Sequence, residues 1–443
     1  MKPTDTKLSR QFGLWAAVAV IIGQVIGVGI FLVPAGMAKS VGSPVWLFAI
    51  WLVVGLMTLC GALCYAEMAS RYPEAGGSYV YLREAFGRGT AFLYGWMVLL
   101  VLDPGLTAIF GVGFASYAGF LFDIPAAVQS FVAIGTILII GGITILGTRL
   151  GAGFLKTLTL IKIGTLVFIV LFGFGSGKGQ WANLQPFFSM PSDVFAALAG
   201  GFVGAFFAFA GWWEVTRIAG EIENPERNIP RILVLGVTGL TLIYVMTSAV
   251  FMYLVPIASV TNDEAFAALA GTALFREIGG SMFSAVVMIS VAGTLFAYLL
   301  ASPRVYLAMA NDGLFFRYFG EVSSRFGTPL RATMIQIGLA CLLVLSGSFT
   351  QILAYFFFVV ILFVGVTIAG LFRIRKSPYA GYNTPWFPLP ALIYLVLTFV
   401  VLVFVGMQNP LQTLIGIGVV SLGIPVYHFT FKGNYGLDKN DQI

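Results

Sequence analysis

The sequence predicts an all-α membrane protein of about twelve transmembrane helices, with the first and the sixth interrupted in mid-span. Three observations carry this. Hydrophobic residues make up 59% of the 443 residues and charged residues only 9%, whereas a soluble domain carries about 25% charged residues. Mean hydropathy is +0.96. Apolar runs of near-spanning length follow one another with short connections, and two of them contain residues that break helices.

The runs lie near 12–37, 44–69, 89–119, 126–147, 152–175, 193–217, 232–255, 280–309, 332–347, 351–373, 386–406 and 410–431. They form one membrane domain over 1–443, with no soluble domain. Lys2, Lys7 and Arg10 precede a first run too long for a signal-peptide core, so no cleavable leader is expected. If the N-terminus is cytoplasmic, the inside segments hold most of the basic residues. Among them are Arg71, Arg83 and Arg88, then Arg217, Arg227 and Arg231, then Arg373, Arg375 and Lys376. The outside segments hold Lys39, Lys178 and Arg276. This bias predicts a multi-pass protein of the cell membrane with both termini cytoplasmic.

In the first run, Gly23 to Pro34 read Gly-Gln-Val-Ile-Gly-Val-Gly-Ile-Phe-Leu-Val-Pro. Glycine costs a helix interior about 1 kcal/mol against alanine, and proline also removes a donor. In lipid such a break is tolerated where the freed backbone faces a protein-lined cavity. There, N–H groups at a half-helix start suit an anion and C=O groups at a half-helix end suit a cation. A free amino acid carries both charges a few ångströms apart. A glycine notch for close helix packing is the alternative. The sixth run, Phe206-Phe207-Ala208-Phe209-Ala210-Gly211-Trp212-Trp213-Glu214, repeats the feature with small residues in mid-span. Two breaks five spans apart are what an inverted repeat of five plus five gives. Its copies would cover about 12–175 and 193–373, with two extra helices over 386–431.

Cys60, Cys64 and Cys341 sit in apolar runs as packing residues, and His428 is the single histidine. No metal, cofactor or catalytic cluster is expected, so an enzyme is disfavoured. The net charge of +6 is scattered over loops and predicts no nucleic-acid partner.

Four motifs carry a resemblance. They are Ile26-Gly27-Val28-Gly29-Ile30-Phe31 with Pro34, and Tyr72-Pro73-Glu74-Ala75-Gly76-Gly77-Ser78-Tyr79-Val80-Tyr81 with Phe86-Gly87. The others are Phe207-Ala208-Phe209-Ala210-Gly211-Trp212 with Glu221 and Asn224 to Pro230, and Met309-Ala310-Asn311-Asp312-Gly313-Leu314. In this order the chain resembles the amino acid–polyamine–organocation transporters, within them the L-type amino acid transporter branch and its bacterial relatives. The resemblance implies a LeuT-type fold and amino acid transport, often by exchange. It places the substrate carboxylate on the N–H groups around Val28 and Gly29, at the end of the substrate-binding stretch that begins Val25, Ile26, Gly27. It places the substrate ammonium on the carbonyls of Val25, Phe207 and Ala210, beside Gly211, with the Phe207 ring covering the site. Val28 stands where many relatives have serine, leaving the backbone to make that contact.

Lys162 lies mid-span in the fifth run, where an ammonium is costly unless it faces a partner or a cavity. The resemblance implies that a lysine here replaces the cation that sodium-coupled relatives hold between the first, fifth and eighth helices. It would brace the first helix near Gly23. Proton coupling through it, or snorkelling to the cytoplasmic face as expected for Lys156, are the alternatives. Asp103 precedes Pro104 in the third run, where L-type relatives often carry a basic residue. It either lines the substrate route, favours a cationic side chain or carries a proton, or else pairs with a nearby cation. Glu214 and Arg217, three apart, are expected to pair, and Glu67 to lie at the interface.

The expected function is sodium-independent exchange of neutral L-amino acids by alternating access. A proton-coupled symporter and a carrier of cationic amino acids or polyamines are the alternatives, and a channel is disfavoured. The expected partners are the amino acid, membrane lipid and possible protons, with no obligatory protein partner.

Overall fold

A computed structural model describes residues 12–27, 29–74, 76–146, 151–259, 266–319, 323, 329–346 and 349–431. Val28, Ala75, Lys2, Lys7 and Arg10 lie outside the described residues, and the side chain of Lys156 is not described. Nine helices among the described residues are long and apolar enough to cross a membrane, and one bent pair makes a tenth. The shorter apolar helices Leu160–Gly175 and Leu330–Ser346 fall on the fifth and ninth expected runs. Together these match the twelve runs in order.

The bent pair is α1 (Leu14–Val25) and α2 (Gly29–Val41), which meet at 48°. The second span is α3 (Pro44–Arg71), and α4 (Ser78–Phe86) is a short connecting helix. The third to fifth spans are α5 (Arg88–Phe122), α6 (Ala126–Leu146) and α7 (Gly151–Gly175). The sixth is α8 (Val194–Phe209) followed by a 3₁₀ segment, Trp212–Glu221. The seventh is α9 (Pro225–Leu254). Helix α10 (Phe266–Phe275) leads into α11 (Glu277–Ala301) and α12 (Arg304–Asn311), which run along the eighth span. The last four spans are α13 (Leu330–Ser346), α14 (Phe349–Ile374), α15 (Leu389–Gln408) and α16 (Pro410–Phe431).

Both breaks have local causes. At the first, the Gly27 N–H donates to Val25 O at 2.7 Å across Ile26, whose φ of −71° and ψ of 77° make a tight inverse γ-turn. Pro34, inside α2, cannot donate to the carbonyl four residues back. At the sixth, Ala210 turns extended (φ −55°, ψ 144°) and Gly211 takes φ 96°, which side-chain-bearing residues rarely adopt. The third span carries a π-turn over Val98–Leu102, directly before Asp103 and the donor-less Pro104.

The interrupted spans lie against each other, α2 on α8. A Cβ added at Gly29 would sit 2.9 Å from Ala208 Cα. Gly29 therefore serves both readings of the glycine stretch, the break and the close packing. Helix α3 packs on α9, α5 on α11 and α6 on α13. The Phe12 N–H donates to Glu221 O, and the Glu223 N–H to Phe12 O, each at 3.0 Å. The start of the first span is thereby pinned to the exit of the sixth.

Glu67, expected at the interface, is buried within the protein near the end of the second span. It accepts from Arg71 at 2.7 Å, from Arg375 Nε at 2.8 and 3.0 Å and from the Thr384 N–H at 2.8 Å. A carboxylate so enclosed needs these donors to offset its lost hydration.

Candidate substrate site

A small cavity of about 40 Å³ lies between the two breaks. Val25, Gly27 and Gly29 line it from the first break, with Gln24 just before them; Phe207, Ala210, Gly211 and Glu214 line it from the sixth. Leu106, Phe110 and Tyr298 close it from the third and eighth spans. Helix α1 ends at Val25 and α8 at Phe209, so carbonyl ends point to this region, while α2 begins at Gly29, and the first N–H groups of a helix have no partner within it. The two kinds of helix end carry opposite partial charge. The space between them therefore suits a small solute bearing both an anion and a cation.

Of the expected site residues, Val28 lies outside the described residues. Ile26 is fully buried and off the cavity wall; its carbonyl oxygen is 3.5 Å from the Thr294 hydroxyl. The Phe207 carbonyl already accepts from the Ala210 N–H at 3.0 Å. The Phe207 ring is buried, with its centroid 6.4 Å from that of Phe357.

Lys162 is buried and stands behind the first break, not on the cavity wall. Its Nζ donates to Gly23 O at 3.2 Å and to the Thr294 hydroxyl. That hydroxyl donates in turn to Ser290 O at 3.1 Å. One ammonium thus joins the first, fifth and eighth spans.

Asp103 is likewise off the wall. It is fully buried and accepts from the Tyr298 hydroxyl at 2.6 Å and from the Tyr306 hydroxyl, with Arg217 Nη1 at 4.0 Å. An acid near a cation was one of the alternatives for Asp103, and Arg217 stands as that cation. Arg217 Nε lies 2.6 Å from Glu214 Oε2, as their spacing suggested. The contact is one of charge, since the guanidinium N–H groups are not aligned on an acceptor. Arg217 is only 3% exposed. It belongs to this inner cluster and not to a loop of the inside face.

Sequence reasoning missed Tyr244, Tyr298, Tyr306 and Gln24. Tyr244 donates to Ala208 O at 2.8 Å and reaches Val25 O at 3.3 Å, tying the two breaks together. Nothing in local sequence marks this role, because a tyrosine in an apolar span reads as packing. The motif loops do have a visible role. The Tyr79 hydroxyl and Arg83 Nη1 both donate to Asp312 Oδ2, at 2.7 and 2.8 Å, joining the second motif to the fourth. The loss of hydration, and after it the Asp312 carboxylate, hold the Tyr79 hydroxyl well above the usual phenol range.

Two interrupted spanning helices, with a cavity at their breaks and helix ends of both signs around it, define a membrane carrier for small charged solutes. The amino acid permease family matches residues 12–420, and the chain belongs to that family. As a member it transports amino acids across a membrane. It is similar to the serine/threonine exchanger SteT of Bacillus subtilis (strain 168), with 30% identity over 438 residues, covering 97% of this chain and 98% of that one. It is also similar to the cystine/glutamate transporter of Homo sapiens, 29% identical over 435 residues, covering 95% of this chain and 85% of that one. A third relative is the large neutral amino acids transporter small subunit 2 of Oryctolagus cuniculus. It is 27% identical over 442 residues, covering 97% of this chain and 81% of that one.

Proposed function

We propose that the chain is a sodium-independent exchanger of neutral L-amino acids that works by alternating access. The observation that carries this is the position of Lys162. Its Nζ, held by Gly23 O and Thr294, brings the positive charge of its protonated form to the junction of the first, fifth and eighth spans. A bound sodium ion there would meet that charge at close range, and like charges in a low dielectric repel strongly. The relative named an exchanger supports exchange over net uptake.

The packing supports a five-plus-five arrangement over about 12–175 and 193–373, with two further helices. The second span lies on the seventh, the third on the eighth and the fourth on the ninth, as a two-fold relation between the halves would require. In this reading both termini are cytoplasmic, in the cell membrane, and the chain works without an obligatory protein partner.

One observation favours a second reading, a carrier of cationic amino acids: the Glu214 carboxylate lies on the cavity wall. Purified chain in liposomes separates the two. Labelled leucine, serine and arginine are offered, each with and without sodium and a pH gradient. The exchanger reading requires saturable, stereoselective counterflow of leucine or serine, unchanged when sodium is removed. Movement of arginine alone, or a requirement for sodium, would overturn it.

A further inference from the structure

Two side chains that line the cavity each carry an oxygen without a hydrogen-bond donor. Glu214 is 6% exposed; its Oε2 meets Arg217, but its Oε1 has no hydrogen-bond partner. Gln24 Oε1 is buried and equally without a donor. Both residues line the same cavity, one just before the first break and the other just after the sixth. A buried acceptor left unpaired is costly, the more so when it belongs to a carboxylate. Neither oxygen has accessible surface in this structure, but each belongs to a side chain that lines the cavity, and a turn of that side chain offers it to a donor that enters. An amide can turn to offer either its oxygen or its nitrogen, but a carboxylate only accepts. Glu214 therefore fixes the polarity of the pair, and what it asks for is a donor.

The backbone ends of α1, α2 and α8 already offer both signs of partial charge for the two ends of an amino acid. The side-chain acceptors are then left for the substrate's own side chain. Formal charge narrows the class. The four buried ionisable groups around the breaks are Asp103 and Glu214, both acidic, and Lys162 and Arg217, both basic. Their ionised forms sum to zero, so a neutral side chain keeps the balance and a cationic one breaks it. Elsewhere on the wall Leu106, Phe110 and Phe207 are apolar, and the Tyr298 hydroxyl is already donated to Asp103.

Resting on the exchanger reading above, we propose that Glu214 and Gln24 form a side-chain subsite. It selects short neutral amino acids whose side chain carries a hydroxyl or amide donor.

Isosteric pairs test this. Threonine and valine share a shape and differ in a hydroxyl; asparagine and leucine differ in an amide. Exchange of all four, and of lysine, is measured with the full chain in liposomes. Threonine should exceed valine, and asparagine leucine, by about tenfold or more in rate over half-saturation concentration, since a site built to bond a donor rejects the analogue lacking it. Glu214→Leu would leave Arg217 without its acid and could unfold the protein. Gln24→Leu avoids this and should narrow the threonine-to-valine ratio several-fold. Valine and leucine exchanging as well as their partners would overturn the subsite while leaving the exchanger reading intact. Lysine preferred over threonine would overturn the neutral class. If none of the five exchanges, the exchanger reading itself fails, and the subsite with it.

Discussion

Lys162 Nζ donates to the carbonyl oxygen of Gly23 at 3.2 Å, in the last turn of the half-helix that ends at Val25. A cation at a helix C-terminus complements the helix dipole and satisfies a carbonyl. This bond fixes α1 at the point where the span breaks. Replacing Lys162 with alanine removes a charged hydrogen bond, worth about 1.5–3 kcal/mol. Exchange should fall by about tenfold or more, with the protein still present in the membrane. Normal exchange rates in that variant would reduce Lys162 to a buried packing residue.

Phe207 is buried, lines the cavity and packs against Phe357. Cutting its ring back to a methyl group opens the cavity on that side. Phe207→Ala should slow exchange on the order of tenfold, because closure over the substrate is part of the transport cycle. An unchanged rate with this variant would remove Phe207 from the site.

Gly211 holds φ 96°, and Gly29 leaves no room for a side chain beside the Ala208 backbone. Gly211→Ala forces an alanine into an unfavourable region at about 1–2 kcal/mol. Gly29→Ala must push α2 from α8. Both should lower the melting temperature of the purified protein, and Gly29→Ala should also impair exchange. Alanine tolerated at both positions would show that neither break depends on its glycine.

Glu67 is held by Arg71, Arg375 and the Thr384 N–H. Glu67→Ala leaves those donors facing a void, and breaking a buried ion pair from one side costs about 3–5 kcal/mol. A clear drop in melting temperature is expected, with partial recovery when Arg375→Ala is added. No recovery in the double variant would place the cost elsewhere than in the pair.

Asp103 is sealed by Tyr298 and Tyr306 and does not reach the cavity wall. Asp103→Asn should lower stability and leave the order of preferred substrates unchanged. A shift of preference between neutral and cationic amino acids would put Asp103 back on the substrate route.

The spans were legible because lipid leaves one reading for long apolar runs. The breaks were legible because glycines at 27, 29 and 211 and the proline at 34 have few uses inside a spanning helix. Glu67 was not legible: its nearest cation on the chain is Arg71, but Arg375 comes from more than three hundred residues away. The same holds for the tyrosines around Asp103 and for Tyr244, whose partners are set by packing between distant spans. Gln24 and Glu214 share a wall for a reason the sequence hides, since they flank different breaks.

The central claim is that the two broken spans hold both charged ends of a free amino acid. The direct measurement is competition against exchange of a labelled transported amino acid in liposomes. The competitors are the same unlabelled amino acid, its N-acetyl derivative and its methyl ester. The free amino acid should compete fully and both blocked forms should fail, because each lacks one of the two charges that the helix ends receive. A blocked form that competes as well as the free amino acid would contradict the account.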